Sequence, residues 1–361
     1  MKGELKITPF FNLLLGFKKY ISMNRWLFFV AILFCGCNNA LVEKPISEKN
    51  EIPRYSIISV IHADADYLFH KDGKAHQANE KALEKSIKIA EQAEEGEVFI
   101  FHQKPEKKAW LVFPKKDREW YHYKNGVLIN KGLYSPLNGG LETEALLYKK
   151  YSEVENIVRK PMLMYFGHEI PTFKRTYHQS QENEKFDVQI FSKDISTLSN
   201  EFGIIGVSTC NNGNPLLIHS LNDLADFVVA SPQNLHLSYL DMGMFRMLET
   251  KPEISEKELA DSLALSSFKR LKEELQTTIT VSIYDLKKLK SKLPLLVENY
   301  DKYIKENKVN PYFSDNIDCA SIESLAAYLP EKGITTYYRS SAFGRNNSSV
   351  KHSGWGCKDL N

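Results

Sequence analysis

The sequence predicts an α/β protein with a mostly parallel sheet flanked by helices, followed by a helical and mixed C-terminal extension. Short apolar runs alternate with amphipathic segments along residues 56–231, which is typical of parallel strands joined by helices. The runs 162–167 and 204–209 are separated by one short helical segment, so they are expected to be parallel neighbours. From residue 256 onward long amphipathic segments dominate, and this change of pattern predicts the extension.

The strands are predicted from short apolar runs that end at turn residues. They cover 56–63, 97–102, 109–113, 119–123, 127–130, 162–167, 186–191, 204–209, 227–231 and 277–284. The runs 109–113 and 119–123 are expected to pair as a hairpin. Asn125–Gly126 is expected to form a tight turn into the strand that follows it.

The helices are predicted from apolar residues at helical spacing, such as Leu83, Ile87 and Ala90 in the first of them. They cover 80–95, 141–158, 194–202, 216–227, 256–275 and 285–305. Gly96 and Gly203 are expected to cap two of these helices at their C-terminal ends, and the last helix is expected to break near Pro294.

Composition and charge narrow the classes of function. The chain has 361 residues, 43% of them hydrophobic, so it can bury a sizeable core as one large domain with additions or as two smaller ones. Lys plus Arg number 47 against 45 for Asp plus Glu. There is no basic block with interleaved aromatic residues in the sequence, so a nucleic-acid partner is not expected.

The N-terminal segment is predicted to be a signal peptide that leads to a lipid anchor. A short positive region at 23–25 precedes nine apolar residues at 26–34, too few to span a membrane but suited to secretion. Gly36 before Cys37 resembles a bacterial lipobox, in which the cysteine is acylated; an uncleaved anchor is the alternative. The predicted location is the bacterial cell envelope, in the outer membrane or at the cell surface.

The predicted boundaries follow from these patterns. The chain divides into an extension with the signal peptide at 1–36, a polar tether at 37–55, an α/β domain at 56–245 and an α-rich extension packed on it at 246–361.

His168 and Cys210 stand directly after two of the predicted strands. Because parallel neighbours share one carboxyl edge, where open α/β sheets bind ligands, these two side chains are expected to meet there. A thiol beside an imidazole is the arrangement of a cysteine nucleophile with its acid–base partner. A buried, inert cysteine is the alternative that the residues alone leave open.

Two other motifs give weaker indications of a function. Asp64 and Asp66 after the first strand resemble the start of a phosphatase site, but no later strand ends in an acidic pair for magnesium, and capping is the simpler role. His168–Glu169 opens like a zinc motif, but residue 172 is Thr, so the second histidine is missing. No metal site is predicted.

Taken in order along the chain, these residues resemble the clostripain-like cysteine peptidases, of the caspase, gingipain and legumain type. The resemblance covers about residues 56–357. It rests on the first strand with its Asp-rich turn, on His168 and Cys210 after their strands, and on the strand at 225–232, which is the most specific match. Further matches lie at 279–289, 337–339 and 353–355.

The resemblance implies a caspase-like fold and a secreted, lipid-anchored endopeptidase that acts on a peptide or protein substrate. The resemblance also implies that Cys210 is the nucleophile, that His168 is the acid–base residue, and that the N–H groups of Glu169 and Cys210 form the oxyanion hole. Ser208, Asp226 and Ser231 are the implied substrate-binding residues. No cofactor is expected, although the resemblance allows calcium.

The sequence departs from the family pattern in two places. The family has Gly after the histidine, where this chain has Glu169, whose side chain is expected to crowd the approach to the thiol. The family has an acidic residue two positions before the cysteine, where this chain has Ser208, so a preference for Arg or Lys is not expected. These departures leave an alternative: a catalytically impaired surface lipoprotein that binds a peptide, glycan or protein.

Five cysteines occur in the sequence. With Cys35 in the signal peptide, Cys37 acylated and Cys210 needed as a thiol, Cys319 and Cys357 remain as a pair in an oxidising compartment. Whether these two form a disulfide or stay reduced is left open.

Overall fold

A computed structural model of the chain describes residues 52–359, except for 63–67, 72, 105–107, 110–112, 115–117, 136–139, 154–156, 158, 177–184, 235–239, 308–315 and 343–350. The predicted signal peptide, Cys37 and most of the tether lie outside the described residues, as do Asp64 and Asp66. Within the described part, no helix has the length and apolar character needed to cross a membrane.

The strands of the described residues are β1 (Tyr55–His62), β2 (Leu68–Lys71), β3 (Lys74–Gln77), β4 (Gly96–Gln103), β5 (Lys108–Ala109), β6 (Phe113–Pro114), β7 (Arg118–Lys124), β8 (Val127–Tyr134), β9 (Met162–Phe166), β10 (Arg175–Thr176), β11 (Lys185–Phe186), β12 (Phe202–Ser208), β13 (Ala225–Ala230), β14 (Ile279–Asp285), β15 (Asn316–Asp318), β16 (Ile334–Arg339) and β17 (Gly356–Lys358).

Nine of these strands form one central sheet, in the order β16-β14-β13-β12-β9-β1-β4-β7-β8. The five strands from β13 to β4 are parallel to one another. Antiparallel strands extend both edges, β14 and β16 on one side and β7 and β8 on the other. The predicted α/β sheet is confirmed.

The helices of the described residues are α1 (Ala78–Gln92), α2 (Glu142–Tyr151), α3 (Val188–Leu198), α4 (Pro215–Ser220), α5 (Met247–Thr250), α6 (Glu256–Glu274), α7 (Leu286–Leu289), α8 (Leu293–Glu306) and α9 (Glu323–Ala326). Two short 3₁₀ helices cover Met242–Arg246 and Cys319–Ser321. The predicted break near Pro294 is confirmed, because the chain leaves α7 and starts α8 there.

Alternate side chains of the strands divide between two hydrophobic cores, one on each face of the sheet. Ile58 and Val60 of β1 point into the core that α2, α3, α4 and α8 cover. Ile57 and Ile61 of the same strand point into the core that α1 and α6 cover. Since both faces are buried, the central strands are apolar throughout, which is why short apolar runs predicted them correctly.

The predictions for one strand, two glycine caps and one hairpin are wrong. Of the run 186–191, Phe186 alone lies in a strand, the short β11, and the chain is helical from Val188, because the Asp187 side chain accepts from the N–H groups of Gln189 and Ile190 and caps α3. Gly96 and Gly203 cap no helix. Gly96 starts β4 and α1 ends at Gln92, while Gly203 lies within β12 and α3 ends at Leu198.

The last of these errors concerns the hairpin. The run 119–123 lies in β7, which pairs with β4 and β8, so it does not pair with 109–113. The Asn125–Gly126 turn between β7 and β8 is confirmed, with both residues at positive φ.

The C-terminal segment contributes to the sheet and closes a disulfide. β14 and β16 come from residues beyond 246; β14 pairs with β13, and β16 pairs with β14. The boundary predicted at 245/246 stays a prediction. Cys319 and Cys357 are joined by a disulfide with their Cα atoms 5.0 Å apart, which decides the alternative that the sequence left open.

Candidate active site

His168 and Cys210 follow two neighbouring parallel strands of the central sheet. Strands β9 and β12 pair in register, with Phe166 opposite Ser208. His168 comes two residues after Phe166, and Cys210 comes two residues after Ser208. Both residues therefore leave the sheet at the same carboxyl edge, where open α/β sheets bind ligands.

Asn212 joins the loop after β12 to the loop after β9. Its Oδ1 accepts a hydrogen bond of 2.9 Å from the main-chain N–H of Ile170, and its Nδ2 donates one of 3.0 Å to the Ile170 carbonyl. The Thr209 hydroxyl donates to the same Oδ1. Both Asn212 and Ile170 are fully buried. A buried amide that satisfies main-chain groups on another loop holds the two loops in one relative position.

Glu169 connects the same two loops through its side chain. Asn211 Nδ2 donates to Glu169 Oε2 over 2.7 Å, and Lys358 Nζ donates to Glu169 Oε1 over 3.0 Å. Asn211 has a φ of 56°, in the left-handed region that asparagine enters more readily than most residues. The carboxylate that the sequence suggested would crowd the thiol is thus bound by two donors, which fix its direction.

The electrostatics of the site favour a neutral imidazole. His168 is exposed, yet enough protein surrounds its ring that desolvation lowers its pKa to about 4, and the positive charge of Arg175 acts in the same direction. A neutral histidine can accept a proton at neutral pH. Cys210 is half-buried and takes no part in the disulfide. The arrangement can supply a sulfur nucleophile and a base at one edge of the sheet.

The C-terminal strands β15 and β17 lie against the loop after β12. Asn316 Nδ2 donates to the carbonyl of Asn211 over 3.1 Å. The N–H of Gly356 donates to the carbonyl of Gly213 over 2.8 Å. The two strands pair with each other in antiparallel register, and the disulfide joins them. Residues far along the chain therefore support the loop that carries Cys210.

The three implied substrate-binding residues occupy different positions. Ser208 is fully buried, and its Oγ accepts from the N–H of Leu240 over 3.4 Å. Ser231 is also buried and lies just after β13, where its Oγ donates to the Gln233 carbonyl over 2.9 Å. Both serines lie at the carboxyl edge of the sheet, but their hydroxyl groups form hydrogen bonds within the protein.

Asp226 is not brought together with the other candidates. It stands at the amino end of β13, the opposite edge of the sheet from His168 and Cys210. Its carboxylate pairs with Lys160 at 3.2 Å and with Lys287 at 2.9 Å. These two ion pairs balance the negative charge of Asp226 and give the residue a structural role.

Sequence reasoning missed the asparagines and the lysine that support the site. Asn211, Asn212 and Asn214 follow Cys210 directly, and such a density of turn-forming residues after a strand is a usable signal of a structured loop. Asn214 caps α4 by accepting from the N–H of Leu217 over 2.9 Å. No local signal identifies Lys358, because its partner Glu169 lies 189 residues away.

Among the residues that the structure describes, no group of three or more His, Cys, Asp or Glu side chains could hold a metal ion. The calcium binding that the family resemblance allows stays a prediction.

The fold of this chain resembles that of solved cysteine proteases. An inactive zymogen of a C11 protease from Parabacteroides distasonis matches with a TM-score of 0.54 at 12% identity, over 85% of this chain and 92% of that one. A secreted C11 cysteine protease from Bacteroides thetaiotaomicron matches with a TM-score of 0.52 at 13% identity, over 86% and 95%. The sequence matches no protein-family model and no curated protein.

At these identities the likeness establishes the fold. The chain has the fold of the C11 cysteine proteases, which confirms the caspase-like architecture that the sequence resemblance predicts.

Proposed function

We propose that this chain is a cysteine endopeptidase in which Cys210 is the nucleophile and His168 the acid–base residue. The observation that carries the proposal is the register of β9 and β12, in which His168 and Cys210 each follow the paired Phe166 and Ser208 by two positions. The fold shared with the C11 proteases supports a peptidase scaffold.

The proposed hydrolysis starts from the neutral imidazole of His168. Neutral His168 takes the proton of the Cys210 thiol, and the thiolate attacks the peptide carbonyl carbon. The N–H groups of Glu169 and Cys210 stabilise the oxyanion of the tetrahedral intermediate. The protonated imidazole then gives its proton to the leaving amine as the C–N bond breaks. A water molecule, deprotonated by the same imidazole, hydrolyses the thioester and restores the thiol.

The substrate class is a peptide or protein without a strongly preferred Arg or Lys before the scissile bond. Ser208 has no charge and is buried with its hydroxyl engaged by Leu240, so it offers a basic side chain no partner. Asp226 lies at the far edge of the sheet and is paired with two lysines. A peptide-library cleavage profile dominated by Arg or Lys would contradict this part of the proposal.

We place the enzyme in the bacterial cell envelope, anchored by a lipid on Cys37. The lipobox-like Gly36–Cys37 after a short apolar run supports this location. Metabolic labelling with a palmitate analogue is expected to mark the wild type and not Cys37→Ser, and the variant is expected to leave the membrane fraction. Retention of the variant in membranes would indicate an uncleaved signal helix.

A non-catalytic binding protein is the competing function, and Glu169 in place of the family's Gly is the observation that favours it. The two functions separate in one experiment. The full chain is treated with a peptidyl acyloxymethyl-ketone probe and, in parallel, with a peptide library. The proposal predicts probe attachment to the Cys210 peptide and cleavage of library members.

Variants make this test specific. Cys210→Ala and His168→Ala are expected to abolish cleavage and to keep the fold, whereas Asp226→Asn, at the opposite edge of the sheet, is expected to keep activity. A folded wild type that neither reacts nor cleaves would overturn the enzyme proposal. Wild-type turnover in either dyad variant would overturn the dyad.

A further inference from the structure

The strands β15 (Asn316–Asp318) and β17 (Gly356–Lys358) form a two-stranded unit, here named the C-terminal clamp. They pair with Asn316 opposite Lys358 and Asp318 opposite Gly356, and the Cys319–Cys357 disulfide holds one end of the pair. The clamp contacts main-chain carbonyls of the loop after Cys210 through the side chain of Asn316 and the main-chain N–H of Gly356. It therefore lies against the loop that follows the proposed nucleophile.

A continuous polar chain runs from the clamp to the residue after the nucleophile. Lys358 donates to one oxygen of Glu169, and Asn211 donates to the other. The side chain of Lys358 is 5% exposed and that of Glu169 is 19% exposed, so water screens this ion pair only weakly. Asn316 adds a second route, since its Nδ2 donates to the Asn211 carbonyl and also to the Pro232 carbonyl over 3.1 Å.

We propose that Lys358, acting through Glu169, and Asn316, acting through Asn211, are positioning residues for Cys210, so that the C-terminal clamp is part of the active site. The inference rests on the proposed function for its meaning in catalysis. It goes beyond that function, because it gives a site role to residues that neither the dyad nor the oxyanion hole includes.

The physical reason is twofold. Glu169 supplies a proposed oxyanion N–H, and Lys358 and Asn211 both bind its side chain, so loss of the ammonium removes one of the two donors that fix its direction. Loss of the ammonium also leaves a carboxylate without its counter-charge on the residue that hydrogen-bonds Asn211, next to the thiol. A nearby negative charge disfavours the thiolate.

Other groups around Glu169 can also influence the Cys210 thiolate. His168 precedes it on the same loop, and Arg175 acts on His168. Tyr300 of α8 accepts a hydrogen bond of 3.1 Å from the main-chain N–H of Lys358. These groups are unchanged in the variants proposed here, so differences between variants report on the pair Lys358 and Glu169.

The test uses the full chain and two readouts. The first is the rate of iodoacetamide alkylation across pH, quantified by mass spectrometry on the peptide that contains Cys210. The second is peptide cleavage. Lys358→Met is expected to move the alkylation midpoint to higher pH and to lower kcat roughly tenfold, with KM changed less than about twofold. Lys358→Arg is expected to restore both, because it keeps the charge.

Two further variants control for folding and for general charge effects. Glu169→Gln combined with Lys358→Met removes both charges together, leaves no uncompensated carboxylate, and is expected to return the alkylation midpoint to the wild-type value. Lys287→Met breaks the ion pair with Asp226 at the opposite edge of the sheet and is expected to leave alkylation and cleavage unchanged.

The outcomes are distinct. A wild-type alkylation midpoint and kcat in folded Lys358→Met, with only the melting temperature lowered, would reduce Lys358 to a structural residue and overturn the inference. If Lys358→Met does not fold, an unshifted midpoint in the double variant together with a shifted one in Glu169→Gln alone supports the inference, and equal midpoints overturn it. Alkylation does not need peptidase activity, so it tests the inference even where wild-type cleavage fails.

Discussion

Asn212 binds both main-chain polar groups of Ile170, accepting from its N–H over 2.9 Å and donating to its carbonyl over 3.0 Å. These two hydrogen bonds connect the two loops in the same way that main-chain hydrogen bonds connect neighbouring strands. Asn212 continues the connection of β9 to β12 past the point where the strands end, two positions after each of the residues proposed for catalysis.

The Asn212 link is expected to contribute measurably to stability. Asn212→Ala leaves the buried N–H and carbonyl of Ile170 without this partner, which is expected to lower the free energy of unfolding by about 2–4 kcal/mol and to reduce cleavage. Urea unfolding measures the first effect. Asn299→Ala, which removes an exposed hydrogen bond within α8, is the matched control with an expected change below about 0.5 kcal/mol. Equal losses in the two variants would contradict the link.

The imidazole of His168 is expected to titrate near pH 4. Because desolvation and then the charge of Arg175 lower its pKa, the ring should remain neutral as pH falls from 7 to about 5. NMR titration of the ring protons measures the midpoint. Arg175→Gln removes a positive neighbour and is expected to raise the pKa, whereas Lys287→Gln at the opposite edge is expected to leave it unchanged. A midpoint near 6.5 in the wild type would show that the site does not lower the pKa of His168.

Asp194 is expected to destabilise the protein at neutral pH. Burial raises its pKa to about 7, and Glu142 adds to the effect, while Asp194 Oδ2 has no hydrogen-bond partner in the described part of the chain. The folded state therefore holds the proton between about pH 4 and pH 7 where the unfolded state has lost it, so stability falls as pH rises through this window.

Asp194→Asn tests this assignment. The variant is expected to raise the free energy of unfolding at pH 8 by about 1–3 kcal/mol and to lose that advantage below about pH 4. Asp223→Asn, at an exposed aspartate, is the control for a general change of net charge. A gain that is the same at pH 8 and pH 4 would show that charge burial is not its cause.

The disulfide is expected to stabilise the whole domain as well as the clamp. The cysteines are separated by 38 positions, so Cys319→Ser with Cys357→Ser is expected to lower the free energy of unfolding by about 3–4 kcal/mol on the chain-entropy account. Denaturant unfolding of the double variant measures this, and Cys210→Ser, which keeps the disulfide, is the control. Finding Cys319 and Cys357 both alkylated in protein from its native compartment would contradict the bridge.

The sequence by itself determined the central strands and the relation between the two candidate catalytic residues. The strands β9 and β12 are apolar along their whole length, because both faces of the sheet are buried, and such runs are readable without tertiary information. Since strand ends are set by the same local pattern, the positions of His168 and Cys210 after them could be predicted. The strand β13 was also predicted, but with its start two residues late, and the observed start at Ala225 sets Asp226 at the wrong edge of the sheet for a substrate contact.

Tertiary structure decided the rest of the site. The segment 186–191 resembles a strand in its apolar residues, but its part from Val188 is helical because of the Asp187 cap and the packing of Phe191 into the core. The run 119–123 forms its hydrogen bonds to the edge of β4. Local propensity does not indicate which strand a given run pairs with.

Lys358 finds Glu169 only after the whole chain between them has folded, and the Cys319–Cys357 bond likewise needs the two strands of the clamp to meet. Periodicity encodes contacts between neighbours in sequence. Hydrogen bonds between single polar side chains across long separations leave no such pattern, so only the three-dimensional structure determines which of them support the site.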